Sequence, residues 1–68
     1  MDLTASLEYL RKSAAISSVI FFEVPVDHPD DMEKVADAAA ALGWVAENDA
    51  DRIVVRVFRP RTRTRDNN

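Results

Sequence analysis

At 68 residues and 7.6 kDa the chain makes one small domain, below the roughly 70–80 residues at which a single core is self-sufficient, so an oligomer or a partner is expected. With 47% hydrophobic and 31% charged residues it is no disordered or fibrous chain, and without cysteine it has no disulfide, thiolate chemistry or cysteine-ligated metal. The net charge of −3 divides unevenly: through Asp51 eleven acidic residues oppose Arg11, Lys12 and Lys34, a balance of −8, whereas from Arg52 six arginines oppose Asp66, a balance of +5.

Asp2 to Ala15 reads as a helix, because Leu3, Leu7, Leu10 and Ala14 recur on one stripe, with Asp2 or Thr4 as its cap. Ser17 and Ser18 interrupt that pattern. Val19 to Val26 is rich in β-branched and aromatic residues and reads as a strand. Alternation assigns Ile20, Phe22, Val24 and Val26 to the core face and Val19, Phe21, Glu23 and Pro25 to the other, with Pro25 marking a sheet edge.

A second helix starts within Asp27-His28-Pro29-Asp30-Asp31, either with Asp30 and Glu33 as a capping box or with His28 as N-cap and Pro29 as first helical residue. Its core stripe is Met32, Val35, Ala36, Ala39 and Leu42, and Gly43 ends it in a left-handed conformation. A hairpin follows. Trp44 to Glu47 is its first strand, Asn48 to Asp51 its turn and Arg52 to Arg59 its return, with Ile53, Val55 and Val57 facing the core and Val54, Arg56 and Phe58 facing away. Residues 1–60 thus form a single domain, and the basic stretch 61–68, which has no apolar residue, reads as a flexible tail.

The order αβαββ with a right-handed crossover predicts an α+β domain. It has a three-stranded antiparallel or mixed sheet ordered 2-3-1, a truncated ferredoxin-like arrangement, with two helices on one face over Ile20, Phe22, Val24, Ile53, Val55, Val57 and Trp44. Two surfaces are then left unsatisfied. The first strand is an outer edge whose Val19, Phe21 and Glu23 invite pairing with a second chain, for which a homodimer with a continuous six-stranded sheet is expected. The face away from the helices presents Val19, Phe21, Val45, Val54 and Phe58 beside Glu23, Glu47 and Arg56, a mixture suited to a protein partner. Its aromatics and Arg56 also allow base stacking, although the aromatic–glycine pattern of RNA-recognition modules is missing from Arg52 to Arg59.

The charged motifs each have two readings. Arg59, Arg61, Arg63 and Arg65 can follow a nucleic-acid backbone or simply solvate the end of an acidic domain. Asp30, Asp31, Glu33 and Asp37 can form a ridge for a basic groove, or serve only the positive end of the helix dipole. The Asp27-His28 pair has no accompanying nucleophile, and no phosphate-cradling glycine loop or two-histidine helix occurs. No catalytic residue, cofactor or metal is therefore assigned. No apolar run reaches the roughly 18–20 residues of a membrane span, and Met1-Asp2-Leu3 does not begin a secretory signal, so a cytoplasmic protein that does not engage membranes is expected.

From Ile20 to Phe58 the chain has an aromatic-rich strand, an Asp-Asp-Met-Glu helix start, an alanine-rich helix ending in Leu42-Gly43-Trp44 and an acidic hairpin. In these features it resembles the ribonuclease E inhibitor (regulator B) type of domain. The resemblance implies a small acidic protein that binds a large RNA-processing enzyme and restrains it. The long acidic extension of that family is missing, and Arg61 to Arg65 departs from it. The resulting expectation is a non-catalytic regulator, an inhibitor of a larger protein or ribonucleoprotein. Compact acidic inhibitors of this kind are encoded by viruses and mobile elements against host nucleic-acid-processing or defence complexes. The alternatives are a nucleic-acid binder acting through the Arg tail and the Phe21/Arg56/Phe58 face, and a self-assembling structural module.

Overall fold

The computed structural model describes residues 1–60, so Arg61, Arg63, Arg65 and the tail reading lie outside the described residues. The elements are α1 (Leu3–Ala14), β1 (Phe21–Pro25), α2 (Pro29–Ala41), β2 (Val45–Asp49) and β3 (Val54–Phe58). The sheet order is β1-β3-β2, with β3 antiparallel to both neighbours. The domain is thus α+β, consistent with a truncated ferredoxin-like fold, with the sheet order the sequence predicts.

The local signals explain where the elements begin. The Asp2 carboxylate accepts the Ala5 N–H at 2.8 Å and caps α1. Pro29 fixes its own φ in helical range and keeps His28 extended, at φ −133° and ψ 145°. Of the two starts read for α2, the one with His28 as N-cap is therefore formed, and Asp30 and Asp31 fall inside the first turn. At the far end Gly43 adopts φ +87°, the left-handed turn that brings Trp44 N–H onto the Ala39 carbonyl at 3.0 Å.

Leu10 from α1, Met32, Val35 and Ala39 from α2, and Phe22, Val24, Val55 and Val57 from the sheet pack with Val26 and Trp44 into one core. Burying each aliphatic side chain contributes about 1.5–3 kcal/mol. Ser6 is buried with them, and its Oγ donates to the Pro25 carbonyl at 2.7 Å, tying the first turns of α1 to the end of β1.

Four apolar residues differ in burial from the pattern expected of them, and a fifth, Ile53, reaches its expected core face from a turn. Ile20 was expected in the core but is 71% exposed, whereas Val19, expected on the open face, packs against the core. The reason is the turn of residues 16–19, closed by Val19 N–H on the Ile16 carbonyl, which delays the strand until Phe21. Leu42 is half exposed because it is already the C-cap residue of α2. Ile53 packs on the core from the β2–β3 turn, not from a strand, at φ +54°, a conformation that costs a β-branched residue on the order of 1–3 kcal/mol. Val54 lies on the open face yet is buried, flanked in register by Pro25 and Asp49.

Two substitutions measure these contacts. Leu10→Ala, at a fully buried position, is expected to lower unfolding free energy by about 2–5 kcal/mol. Ser6→Ala leaves the Pro25 carbonyl unpartnered and is expected to cost about 1–3 kcal/mol. Urea denaturation checks both, and a Ser6→Ala change indistinguishable from wild type would remove Ser6 as a tie between α1 and β1.

Candidate functional site

The strand registers arrange the open face as three rows. Val45, Phe58 and Phe21 lie side by side, then Glu47, Arg56 and Glu23, then Asp49, Val54 and Pro25. Each row runs β2, β3, β1. The face is therefore apolar at one end and charged across its middle.

In the apolar row the Phe21 and Phe58 rings stack at 5.0 Å between centroids, tilted by 39°. Phe21 is 44% and Val45 53% exposed. Aromatic pairs in such contact contribute about 0.5–1.5 kcal/mol beyond their buried area, which holds the rings in place while one side of the row remains open.

The charged row is organised by Arg56. Its guanidinium donates to Asp49 Oδ2 at 2.7 Å and to Glu47 Oε1 at 3.4 Å, and lies 3.9 Å from Glu23 Oε2. Arg52 reaches from the turn and grips Glu23 through both guanidinium nitrogens, at 3.1 and 3.3 Å. Asp49 also closes the turn, because its Oδ1 accepts the N–H groups of Asp51 and Arg52 at 3.1 and 3.3 Å. Hydrogen bonding to Arg56 holds the Asp49 carboxyl below its ordinary value of 3.8, opposed by partial desolvation. Hydrogen bonds to Asp49 and Glu47 raise the Arg56 guanidinium above its ordinary value.

The turn residues Asn48 to Asp51 predict a turn there. In the structure Asn48 and Asp49 belong to β2, and residues 50–53 turn. From the last strand pair Asp49 accepts two turn N–H groups with one oxygen and reaches Arg56 with the other. Asp49 and Arg52 were not singled out from sequence as site residues. The available signal was an Asp followed by Asp51 and Arg52, the pattern of a side chain that caps its own turn.

The site residues named from sequence separate into distinct places. Phe21, Glu23, Arg56 and Phe58 come together on the open face. Asp30, Asp31, Glu33 and Asp37 lie on α2, whose Met32, Val35 and Ala39 face the core, so this ridge is on the opposite layer of the molecule. Arg59, a candidate nucleic-acid contact, is engaged within the chain. Its guanidinium donates to the Val19 and Ile16 carbonyls at 2.8 and 3.1 Å and stacks 4.5 Å from the centre of the Trp44 ring. A cation–π contact of this kind contributes about 0.5–1 kcal/mol at an exposed site. Of the edge residues, Val19 has both its N–H and its carbonyl occupied, by Ile16 and Arg59.

Among the described residues no pocket is found and no group of three or more His, Asp or Glu is placed to hold a metal ion. No helix is long and apolar enough to cross a membrane. Comparison with family models, curated proteins and solved structures finds no match.

The Asp49–Arg56 pair predicts a pH dependence with a definite sign. A carboxylate whose folded pKa is depressed stabilises the fold fully above its unfolded value and loses that contribution as pH falls through the folded value. Asp49→Asn can still cap the turn but has no charge for Arg56. Thermal melts should therefore find wild type more stable than Asp49→Asn near neutral pH, with the gap closing below about pH 4; a gap that persists in strong acid contradicts the pairing.

Proposed function

We propose that this protein is a non-catalytic binding protein that docks its open sheet face onto a larger protein and regulates it, as an inhibitor would. The observation that supports this most is the apolar row Val45, Phe58 and Phe21, left partly exposed on a sheet face that neither described helix covers and bordered by a charged row whose groups are already paired. Protein interfaces have this composition at their centres: aromatic residues and an arginine in a rigid setting, with polar groups satisfied around them.

The internal pairing matters for the energetics. A charge buried in an interface costs several kcal/mol unless it is partnered. Arg56 and Glu23 bring their partners with them, so a protein surface can cover this row without leaving a bare charge. The class of partner implied by the sequence resemblance, an RNA-processing enzyme, is compatible with an acidic body that repels nucleic acid and is drawn to a basic protein surface.

The ridge on α2 is the competing surface, and the two can be separated by substitution. Phe58→Ser is expected to cost about 2 kcal/mol or more of binding, a loss of roughly thirtyfold in affinity. Charge reversal in Asp31→Lys with Asp37→Lys should leave affinity within about threefold, as expected of residues outside the contact. The measurement uses tagged protein recovered from nuclease-treated lysate, followed by titration against the identified partner. If binding disappears on nuclease treatment and on deletion of residues 61–68, the protein is a nucleic-acid binder acting through its tail. If only the α2 reversals weaken binding, the docking surface is the ridge.

A further inference from the structure

The hydrogen bonds at the two ends of the β1–β3 ladder fix which backbone groups of β1 point outward. Arg59 N–H donates to the Ile20 carbonyl and Val26 N–H to the Ile53 carbonyl, and both pairs continue the register in which Phe22 faces Val57 and Val24 faces Val55. Hydrogen-bonded and non-bonded pairs alternate in an antiparallel ladder. Residues 20, 22, 24 and 26 therefore bond inward to β3, and residues 21, 23 and 25 direct their backbone groups to the outer edge.

That edge is closed at both ends. Val19 has its N–H on the Ile16 carbonyl and its own carbonyl under Arg59. Pro25 has no N–H, and Ser6 holds its carbonyl. Between them only Phe21 and Glu23 present free groups among the described residues, two N–H donors and two carbonyl acceptors.

We propose that this short edge pairs with the same edge of a second copy about a two-fold axis passing at Phe22. In that register Phe21 faces Glu23 of the other chain and Glu23 faces its Phe21. Both are hydrogen-bonded pairs, so all four free groups of each edge are matched. Sliding the pairing by two residues to place Phe21 on Phe21 leaves Glu23 opposite the occupied Val19, and placing Glu23 on Glu23 sets like charges side by side. The favoured register also keeps the pair Glu23–Arg52 intact on each chain.

A second observation points to the same partner. Four hydrogen bonds do not make a stable interface by themselves, since specific interfaces bury roughly 1,000 Å² or more. Exposed apolar groups lie on both sides of this edge. Phe21 is on the open face, while the 71% exposed Ile20 and the 40% exposed Tyr9, whose ring meets Phe22 edge-on at 6.3 Å, are on the helix side. The two-fold brings Tyr9 near Tyr9 of the second chain at the axis and sets Ile20 opposite the other chain's Val24. The edge and its apolar flanks are thus complementary to themselves, and the expected assembly is a six-stranded sheet with two open faces joined side by side.

Sedimentation equilibrium on the full chain tests the proposal. Wild type should reach twice the 7.6 kDa mass of one chain. Glu23→Pro removes an outward N–H at the same strand parity as the native Pro25, so the domain should fold and the double mass should be lost, whereas Glu23→Gln should still dimerise. Hydrogen exchange on wild type gives a reading independent of any variant: Phe21 and Glu23 amides should be protected at high protein concentration and exchange freely on dilution, while Phe22 and Val24 amides stay protected throughout. A single-chain mass at every concentration up to millimolar overturns the proposal, as does a Glu23→Pro chain that folds and keeps the double mass. A chain ending at Pro60 that dimerises when the full chain does not would assign the edge to residues 61–68 and also overturn it.

Discussion

Arg56 stands in the middle of the central strand with Glu47 on one side and Glu23 on the other, and its closest contact is the carboxylate that closes the neighbouring turn. The rest of the domain depends on that position. A slip of one residue in β3 would send Arg56 toward the helices and bring Val55 and Val57 out to solvent, because side-chain direction along a strand has a period of two. The carboxylate of Asp49 opposes the slip from both directions, holding Arg56 with one oxygen and the turn N–H groups with the other. The buried valines and the paired arginine therefore specify the same hairpin register, one from each side of β3.

This organisation makes the two sides of the sheet chemically different. On the helix side Val55 and Val57 are fully buried and Arg59, next in the same alternation, lies against Trp44 and ties down the turn that leads into β1. On the other side the same strand presents Val54, Arg56 and Phe58, and among the described residues only their neighbours in the sheet flank them. A domain of this size has too few residues to cover a sheet on both faces. The open face is partly exposed and its side chains contact one another, and an aromatic row already held in place loses little side-chain entropy when a surface covers it.

Much of the fold could be read from the residues in order. The helical stripes of Leu3, Leu7 and Leu10 and of Met32, Val35 and Ala39, the Pro29 start, the Gly43 stop and the aliphatic strands name the elements, and strand order follows from the handedness of the crossover. What could not be read is where the strands begin. Ile20 is exposed and Val19 packs on the core because the turn at residues 16–19 is anchored by Arg59, forty positions away from Val19, and no local pattern carries that information. Ile53 holds a left-handed turn conformation that its residue type disfavours, so propensity assigned it to a strand. The open face is legible as a composition of Phe21, Glu23, Arg56 and Phe58. Its internal pairing is not, because Asn48 to Asp51 has the composition of a turn, whereas Asp49 closes β2.

The absence of cysteine allows the central claim, that the open sheet face is the docking surface, to be tested by site-specific cross-linking without background. A photoreactive group attached at Val45→Cys, within the exposed apolar row, should form an adduct with the proposed protein partner, and the same group at Asp37→Cys on the opposite layer should not. Adducts from Asp37→Cys with none from Val45→Cys would place the contact on α2 and contradict the account.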